Sequence, residues 1–417
     1  MKFAIPDAFS VGWSRIDITP KSPTPLDGMG GNYVRKSNWI EPGSDDDRLM
    51  ASVIVIADGK SAENTVLFCS MDTLFVHEFF YDTLSEKIAD ALGIRADHIF
   101  LSATHTHSGV AMNEDDESVS EYLDKLYPEL VRAAEEAFCD LSEATVQVGS
   151  VLTCGMNAQR RYILKDGTHR SIVHDATFKS DDIVGYETTP DNTLRAIRFM
   201  RTSKKNIILV NWQMHPDFTC SSTVGRVSAD VVGTFRKYVE DDPNENSYFA
   251  FFQGAGGNMS RGSRWQGDPY YDKMRSFDRE SYCREIARIT LKDIDYKNVR
   301  TGEIYVNRKE ITVRQKKGKQ LLDDTYTLKL NAVSFGDVAL CTAPTEMFSD
   351  SGIELRNASR FAMTFLCTNT NGSYGYLPVK ACFDGESYTQ VNEAGDSFEV
   401  RVSRCEAGCA ERIVEAL

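Results

Sequence analysis

An apolar run, Phe100-Leu-Ser-Ala-Thr, leads into two histidines two residues apart, His105 and His107, followed by Ser108 and Gly109. Side chains alternate faces along a strand, so on an extended backbone both imidazoles point the same way. Same-face histidines at a strand end, ahead of a glycine, are the spacing of a metal or acid/base site. Four further apolar runs end in polar segments. Asn206 to Met214 ends in His215-Pro216. Ser247 to Gln253 ends in Gly254-Ala-Gly-Gly-Asn-Met-Ser260. Val338 to Thr342 runs into Glu346, and Phe361 to Cys367 into Tyr374 and Tyr376.

Two or three histidines with one carboxylate match a catalytic zinc set that leaves a position for water. Zinc there lowers the pKa of water to near ~7 and polarises a carbonyl. A neighbouring histidine then serves as base and later as proton donor. The glycines at 254, 256 and 257 permit close backbone approach and offer amide donors to an oxyanion. The same loop also fits a phosphate nest, without the Lys-Ser/Thr of a P-loop, or a plain tight turn. Glu346 can equally be a favourable charge at a helix start. Tyrosines such as Tyr374 and Tyr376 commonly pack with the hydroxyl bonded.

These groups need an architecture that gathers strand ends. Ser52–Ala57 and Thr65–Ser70 read as strands, followed by a helix from His77 to Leu92 closed by Gly93. With the strand that runs to His105 this is a βαβ unit, which implies a parallel pair and a right-handed crossover. Ser118 to Leu141 is an amphipathic helix carrying Leu123, Leu126, Leu130, Ala133, Ala134 and Phe138 at helical spacing. Thr145–Val151 and Leu194–Met200 read as strands, the second at an edge or in a hairpin. Helices are expected over Val231–Val239, much of Tyr271–Ile294, from Glu346 to about Ala358, and Glu406–Leu417. Thr301–Val313 reads as strand and Thr327–Thr342 as a hairpin across Gly336-Asp337. Residues 21–47 and Asn157–Thr189 read as loops, with His169 and His174 on the surface and Asp45-Asp46-Asp47 as a solvated acidic turn. The expected fold is α/β, a mixed, largely parallel central sheet flanked by helices on both faces. In such a sheet the carboxyl ends of the strands share one edge, where the site groups converge.

The chain has 417 residues, 41% hydrophobic and 26% charged, with a formal net charge of −14. That balance argues against nucleic acid or an anionic membrane as partner, since both require a basic footprint. No apolar run approaches the ~18 residues that span a bilayer, and the first residues lack a signal-peptide core, so a cytoplasmic location is expected. Ten scattered cysteines without a CxxC pair read as buried apolar side chains in a reducing compartment.

The motifs together resemble the neutral (non-lysosomal) ceramidases, specifically their N-terminal catalytic domain. The matching stretches are Val11–Pro20, Thr104-His-Thr-His-Ser-Gly109, His215-Pro216, Ser228-Ala-Asp230, Gln253–Ser260, Pro344-Thr-Glu346 and Gly375-Tyr376, in family order. The resemblance implies zinc held by His105, His215, Glu346 and Tyr376. It implies His107 as general acid/base and Ser260 as nucleophile or, as favoured here, a group that orients water. Tyr388 matches a second site tyrosine, and either Arg160 or Arg161 the family's arginine. The implied activity is hydrolysis of an N-acyl amide, on a small-molecule or lipid-like substrate, by one domain over residues 1–417 without a C-terminal immunoglobulin-like domain. Two positions depart from the pattern: Asn258 stands for an aspartate, and Arg261-Gly262 for Pro-Asn. An esterase, lactonase or phosphate-ester hydrolase on the same metal, or a non-catalytic ligand-binding homologue, remain the alternative readings.

Overall fold

The computed structural model describes residues 7–28, 39–60, 62–112, 115–172, 177–219, 225–317, 320–384 and 398–417. Strands β1 (Ser10–Asp17), β2 (Met50–Ala57), β3 (Val66–Met71), β4 (Ile99–Ala103), β5 (Ser142–Leu152), β6 (Thr193–Arg201), β7 (Asn206–Trp212), β8 (Ser247–Gln253) and β9 (Lys297–Val299) form one sheet. Its order is β8-β7-β6-β5-β1-β2-β3-β4, with β9 beside β5. A second sheet holds β10 (Ile304–Lys317), β11 (Gln320–Phe335), β12 (Val338–Thr342) and β13 (Met363–Cys367), in that order.

The two sheets pack face to face. Along β2, Ile54 and Ile56 point between the sheets, whereas Val53 and Val55 point to the opposite face. The same alternation sends Phe68, Phe100, Ile197, Phe199, Leu209 and Phe252 inward to meet Val333, Phe335, Leu340 and Phe365 of the second sheet. Burying each such ring or branched side chain contributes about 1.5–3 kcal/mol. Helices α1 (Glu78–Leu92) and α2 (Glu117–Cys139) cover one half of the first sheet's outer face, and α3 (Asp230–Glu240) and α4 (Arg279–Arg288) the other. Helices α5 (Ser349–Ala358) and α6 (Cys409–Ala416) cover the outer face of the second sheet. The layers therefore run helix, sheet, sheet, helix, in place of one sheet with helices on both faces.

The mixed α/β class holds, with parallel pairing within the two sheets confined to three pairs: β3 with β4, β7 with β8, and β12 with β13. Each is joined by one crossover helix, α1, α3 and α5 respectively. The strands between them are antiparallel, so the first sheet is not largely parallel. Of the two readings of Leu194–Met200, the hairpin holds: β6 pairs antiparallel with β7, and both strands have a further neighbour, so neither is an edge.

Local signals set the helix ends. Gly93 takes φ 69° and closes α1, and the Asp116 side chain caps the first amides of α2. The stretch read as a loop after Asn157 contains a small sheet, Arg161–Leu164, His169–Ser171 and Ile183–Tyr186, closed over Tyr162, Leu164 and Phe178. His169 there pairs with Glu187 at 3.1 Å, while His174 lies outside the described residues. The acidic turn is also not simply solvated: Asp47 is buried and bound to Arg279 at 2.5 Å. Of the described cysteines, Cys69, Cys283, Cys341, Cys367, Cys382, Cys405 and Cys409 are buried, and none forms a disulfide. No helix among the described residues is long and apolar enough to cross a membrane.

Candidate metal centre

All three parallel pairs release their carboxyl ends toward the same place. From β4 the chain reaches His105 and His107, from β7 His215, from β12 Glu346, and from β13 Asn369 and Tyr376. The three histidines come from one sheet and the other three residues from the other, so the site straddles the sandwich.

The two motif histidines do not converge through strand pleating. β4 ends at Ala103, and His105 takes a left-handed φ of 71°, rare for a residue other than glycine. Such conformations cluster where function holds the backbone in place. The His105 amide is tied to Thr73 O at 2.9 Å and the His107 amide to Pro216 O at 3.2 Å. The turn brings the rings to a centroid separation of 5.0 Å, with His215 5.0 Å from His105 and 5.4 Å from His107.

Each ring is oriented by a main-chain carbonyl. Nδ1 of His105 donates to Leu74 O (3.0 Å), Nδ1 of His107 to Gly28 O (2.8 Å), and Nδ1 of His215 to Met259 O (2.9 Å). A carbonyl only accepts, so the proton sits on Nδ1 and Nε2 is left as a bare lone pair facing the centre. This is the arrangement of metal-ligating histidines. One ligand nitrogen from each ring lies within 4.8 Å of the others.

Glu346 joins the cluster from the opposite sheet. Its Oε2 is 3.1 Å from His105 Nε2 and 3.6 Å from His215 Nε2. Despite that proximity, His105 Nε2, His107 Nε2 and Glu346 Oε2 are buried without a hydrogen-bond partner. Buried polar atoms are seldom left unmade, because each costs about 1–3 kcal/mol. Buried imidazole nitrogens and a carboxylate oxygen that converge this closely have the disposition of ligands around a shared ion, and these donors suit zinc or another first-row divalent metal. The His107 imidazole is pushed down to about 4 by burial and by the charge of His105. Burial and Arg160 likewise hold His215 well below its ordinary range. Burial would raise the Glu346 carboxyl, but His105 holds it far below the usual carboxylate range. Burial would lower the His105 imidazole, but Glu346 raises it, so His105 and Glu346 form a charged pair that an ion would replace by a neutral imidazole and an ionised carboxylate.

Tyr376 completes one side, with its hydroxyl 3.4 Å from His215 Nε2. Residues Glu346–Met347 pair in parallel with Tyr376–Leu377, which sets the carboxylate and the phenol side by side. Tyr374 turns away and donates to Glu78. The two arginines differ in their contacts. The Arg160 guanidinium carbon lies 5.4 Å from the Tyr376 ring centre, whereas Arg161 is directed to Glu187 and Glu399, away from the cluster. Ser260 follows the Met259 carbonyl that anchors His215 and borders an adjoining cavity of about 350 Å³. Tyr388 lies outside the described residues.

The glycine loop acts by close packing and not as an amide nest. The Gly254 amide donates to Trp212 O and the Gly257 amide to Met347 O, at 2.9 Å each. A Cβ on Gly257 would lie 2.6 Å from Glu346 O, so the loop must be bare to reach that strand. Asn258 accepts from the Ser349 amide at the start of α5 and donates to Asp350. An aspartate could only accept, and Asp350 would keep only the Thr188 hydroxyl as donor.

Several contributors carry no sequence motif. Asp27 is near enough for His105 and Glu346 to act on its carboxyl, which burial raises. Gly28, at φ 111°, leaves no room for a Cβ, which would lie 2.5 Å from His107 Cα. Their one signal is the glycine-rich character of the early loop. Gly28→Ala should destabilise the protein by about 1–3 kcal/mol. It should also lower hydrolysis about 10²-fold by displacing the His107 ring that the Gly28 carbonyl orients, with the metal content kept. Chemical denaturation and a kinetic assay check both, and unchanged hydrolysis would remove Gly28 from the site.

A mixed α/β sandwich with a buried histidine–carboxylate cluster at the ends of its parallel pairs is the class that fold and site define. No family model matches the chain, and no curated protein matches its sequence. Among solved structures it superposes on a ceramidase complexed with C2, with TM-score 0.70 and 14% identity over 99% of this chain and 74% of that one. A neutral ceramidase from Pseudomonas aeruginosa gives TM-score 0.71 and 15% identity, again over 99% and 74%. At such identities the likeness is one of fold, and it agrees with the fold that the motifs implied.

Proposed function

We propose that the chain is a metal-dependent hydrolase of an N-acyl amide bond, with zinc as the ion. The observation that carries the reading is the set of three Nδ1-anchored histidines whose Nε2 atoms face one another beside a buried, unbonded Glu346 oxygen. The amide is favoured because the fold is shared with ceramidases, one of them complexed with C2.

In this reading His105, His215, Glu346 and Tyr376 hold the ion. When bound, it polarises the amide carbonyl and makes water nucleophilic at neutral pH. His107, neutral and anchored through Nδ1, accepts a proton from water at Nε2 and returns it to the leaving amine. Arg160 is held by Glu399 at 2.9 Å and Gly257 O at 2.8 Å, which sets its charge against Tyr376 where negative charge develops. Ser260 orients water at the rim and stays outside the ligand set.

Ser260→Ala should therefore retain the metal while hydrolysis falls about 10²–10³-fold, the loss seen when one positioned donor is removed. Elemental analysis and a panel of chromogenic N-acyl amides, esters and phosphate esters test this together. Metal lost with Ser260 would overturn the ligand assignment, and cleavage of esters or phosphates alone would overturn the amide.

A further inference from the structure

The cavity beside Ser260 is lined by Phe218, Phe277 and three arginines, Arg261, Arg264 and Arg275. That cluster of cations occurs in a chain with a net charge of −14. Arg261 lies flat on Phe218, its guanidinium carbon 3.9 Å from the ring centre, with Asp217 the nearest carboxylate at 4.0 Å. Arg275 stacks on Tyr271 at 5.4 Å and has no carboxylate within ion-pair distance among the described residues. A stacked guanidinium keeps its N–H edge for a ligand, in the fork geometry that suits carboxylate and phosphate. A second cavity, about 630 Å³, continues past Arg261 and holds Arg279, but that charge is met by Asp47. Beside Ser260, by contrast, Arg261 is met only by Asp217 at 4.0 Å, and Arg275 forms no ion pair among the described residues.

The trough is built onto the candidate centre. Segment His215–Thr219 carries a cluster histidine at its start and the Phe218 floor under Arg261 near its end, and Pro216 O binds the His107 amide. Arg261 is also where this chain departs from the Pro-Asn of the family it resembles.

Resting on the amide-hydrolase reading above, we infer that the substrate is an N-acyl amide whose head group carries an anion, carboxylate or phosphate, held by Arg261 and Arg275 in the cavity beside Ser260. A space of about 350 Å³ takes a compact head group, and clefts lined by one sign of charge concentrate ligands of the other.

The test compares hydrolysis of N-dodecanoyl-glycine, N-dodecanoyl-O-phosphoethanolamine and neutral N-dodecanoyl-ethanolamine by the metal-loaded full chain. Calorimetric titration with O-phosphoethanolamine and with inorganic phosphate runs beside it. The expected result is kcat/KM at least about tenfold higher for the acidic amides, the size of one charge-assisted hydrogen bond. Arg261→Ala, and separately the exposed Arg275→Ala, should cut that ratio about tenfold through KM. Raised salt should narrow it. General damage to the site lowers all substrates alike and leaves the ratio in place. A wild-type enzyme that cleaves the neutral amide as well as the acidic ones overturns the inference and leaves the hydrolase reading standing. Phosphate bound as tightly as phosphoethanolamine, with no preference among the amides, also overturns it. If no amide is cleaved but phosphoethanolamine binds and Arg275→Ala weakens it tenfold, the anion site stands and the hydrolase reading falls.

Discussion

Purified protein should contain about one zinc per chain, and His105→Ala should contain none and lose at least ~10³-fold in amide hydrolysis. The expectation rests on burial as much as on position. His105 is 2% exposed and Glu346 4%, from opposite sheets, and both present unbonded atoms to the centre. Removing the imidazole leaves Glu346 charged and buried without its nearest partner, so the variant also loses affinity for added metal. Chelation of the wild type should reproduce the loss, and zinc should restore it in the wild type alone. A His105→Ala protein that binds zinc stoichiometrically would sink this centre.

Glu399→Ala should cost about 3–5 kcal/mol of stability, read as a shift in the urea midpoint. Glu399 is fully buried and shared by two arginines, with Oε1 2.9 Å from Arg160 Nε and Oε2 3.1 Å from Arg161 Nη1. Ser171 adds a hydrogen bond at 2.9 Å. Without the carboxylate, two buried guanidinium groups are left with Glu187, the Tyr376 ring and the Gly257 carbonyl. Breaking a buried pair by deleting one partner costs far more than the pair contributes, because the survivor stays desolvated. Glu399→Gln keeps the shape and should cost less. A loss under 1 kcal/mol in Glu399→Ala would show that water reaches the arginines. Arg160 is also released from its place against Tyr376, so hydrolysis should fall in Glu399→Gln even where the fold survives.

Much of the candidate cluster was legible because it sits where apolar runs stop. His105, His107, His215 and Glu346 each follow a strand, and strand ends expose what the interior hides. The physical reason read from the spacing was nevertheless incomplete: a left-handed turn at His105, and not the pleat of a strand, brings the histidines together. The two sheets were illegible. Val333 and Leu340 carry the alternation of any half-buried strand, and nothing local says which sheet they join. Glu399 was missed for a related reason. Its partners Arg160 and Arg161 precede it by 239 and 238 residues, and a lone glutamate in a polar stretch gives no sign of burial. Arg160 and Arg161 are indistinguishable as sequence neighbours, although one lies against Tyr376 and the other against Glu187.

The straddling of the centre across two sheets has a kinetic consequence. Neither sheet contains a sufficient donor set: one supplies the histidines, the other the carboxylate and the phenol. Each sheet can acquire its hydrogen bonds, and each helix its apolar face, before the sandwich closes. Closure joins residues far apart in the chain, and such non-local contacts form slowly. Metal affinity should therefore be a late event in refolding. Refolding in the presence of cobalt(II) should show far-ultraviolet dichroism recovering ahead of the visible ligand-field bands, and bands appearing with the first secondary structure would mean that the donors gather before the layers meet.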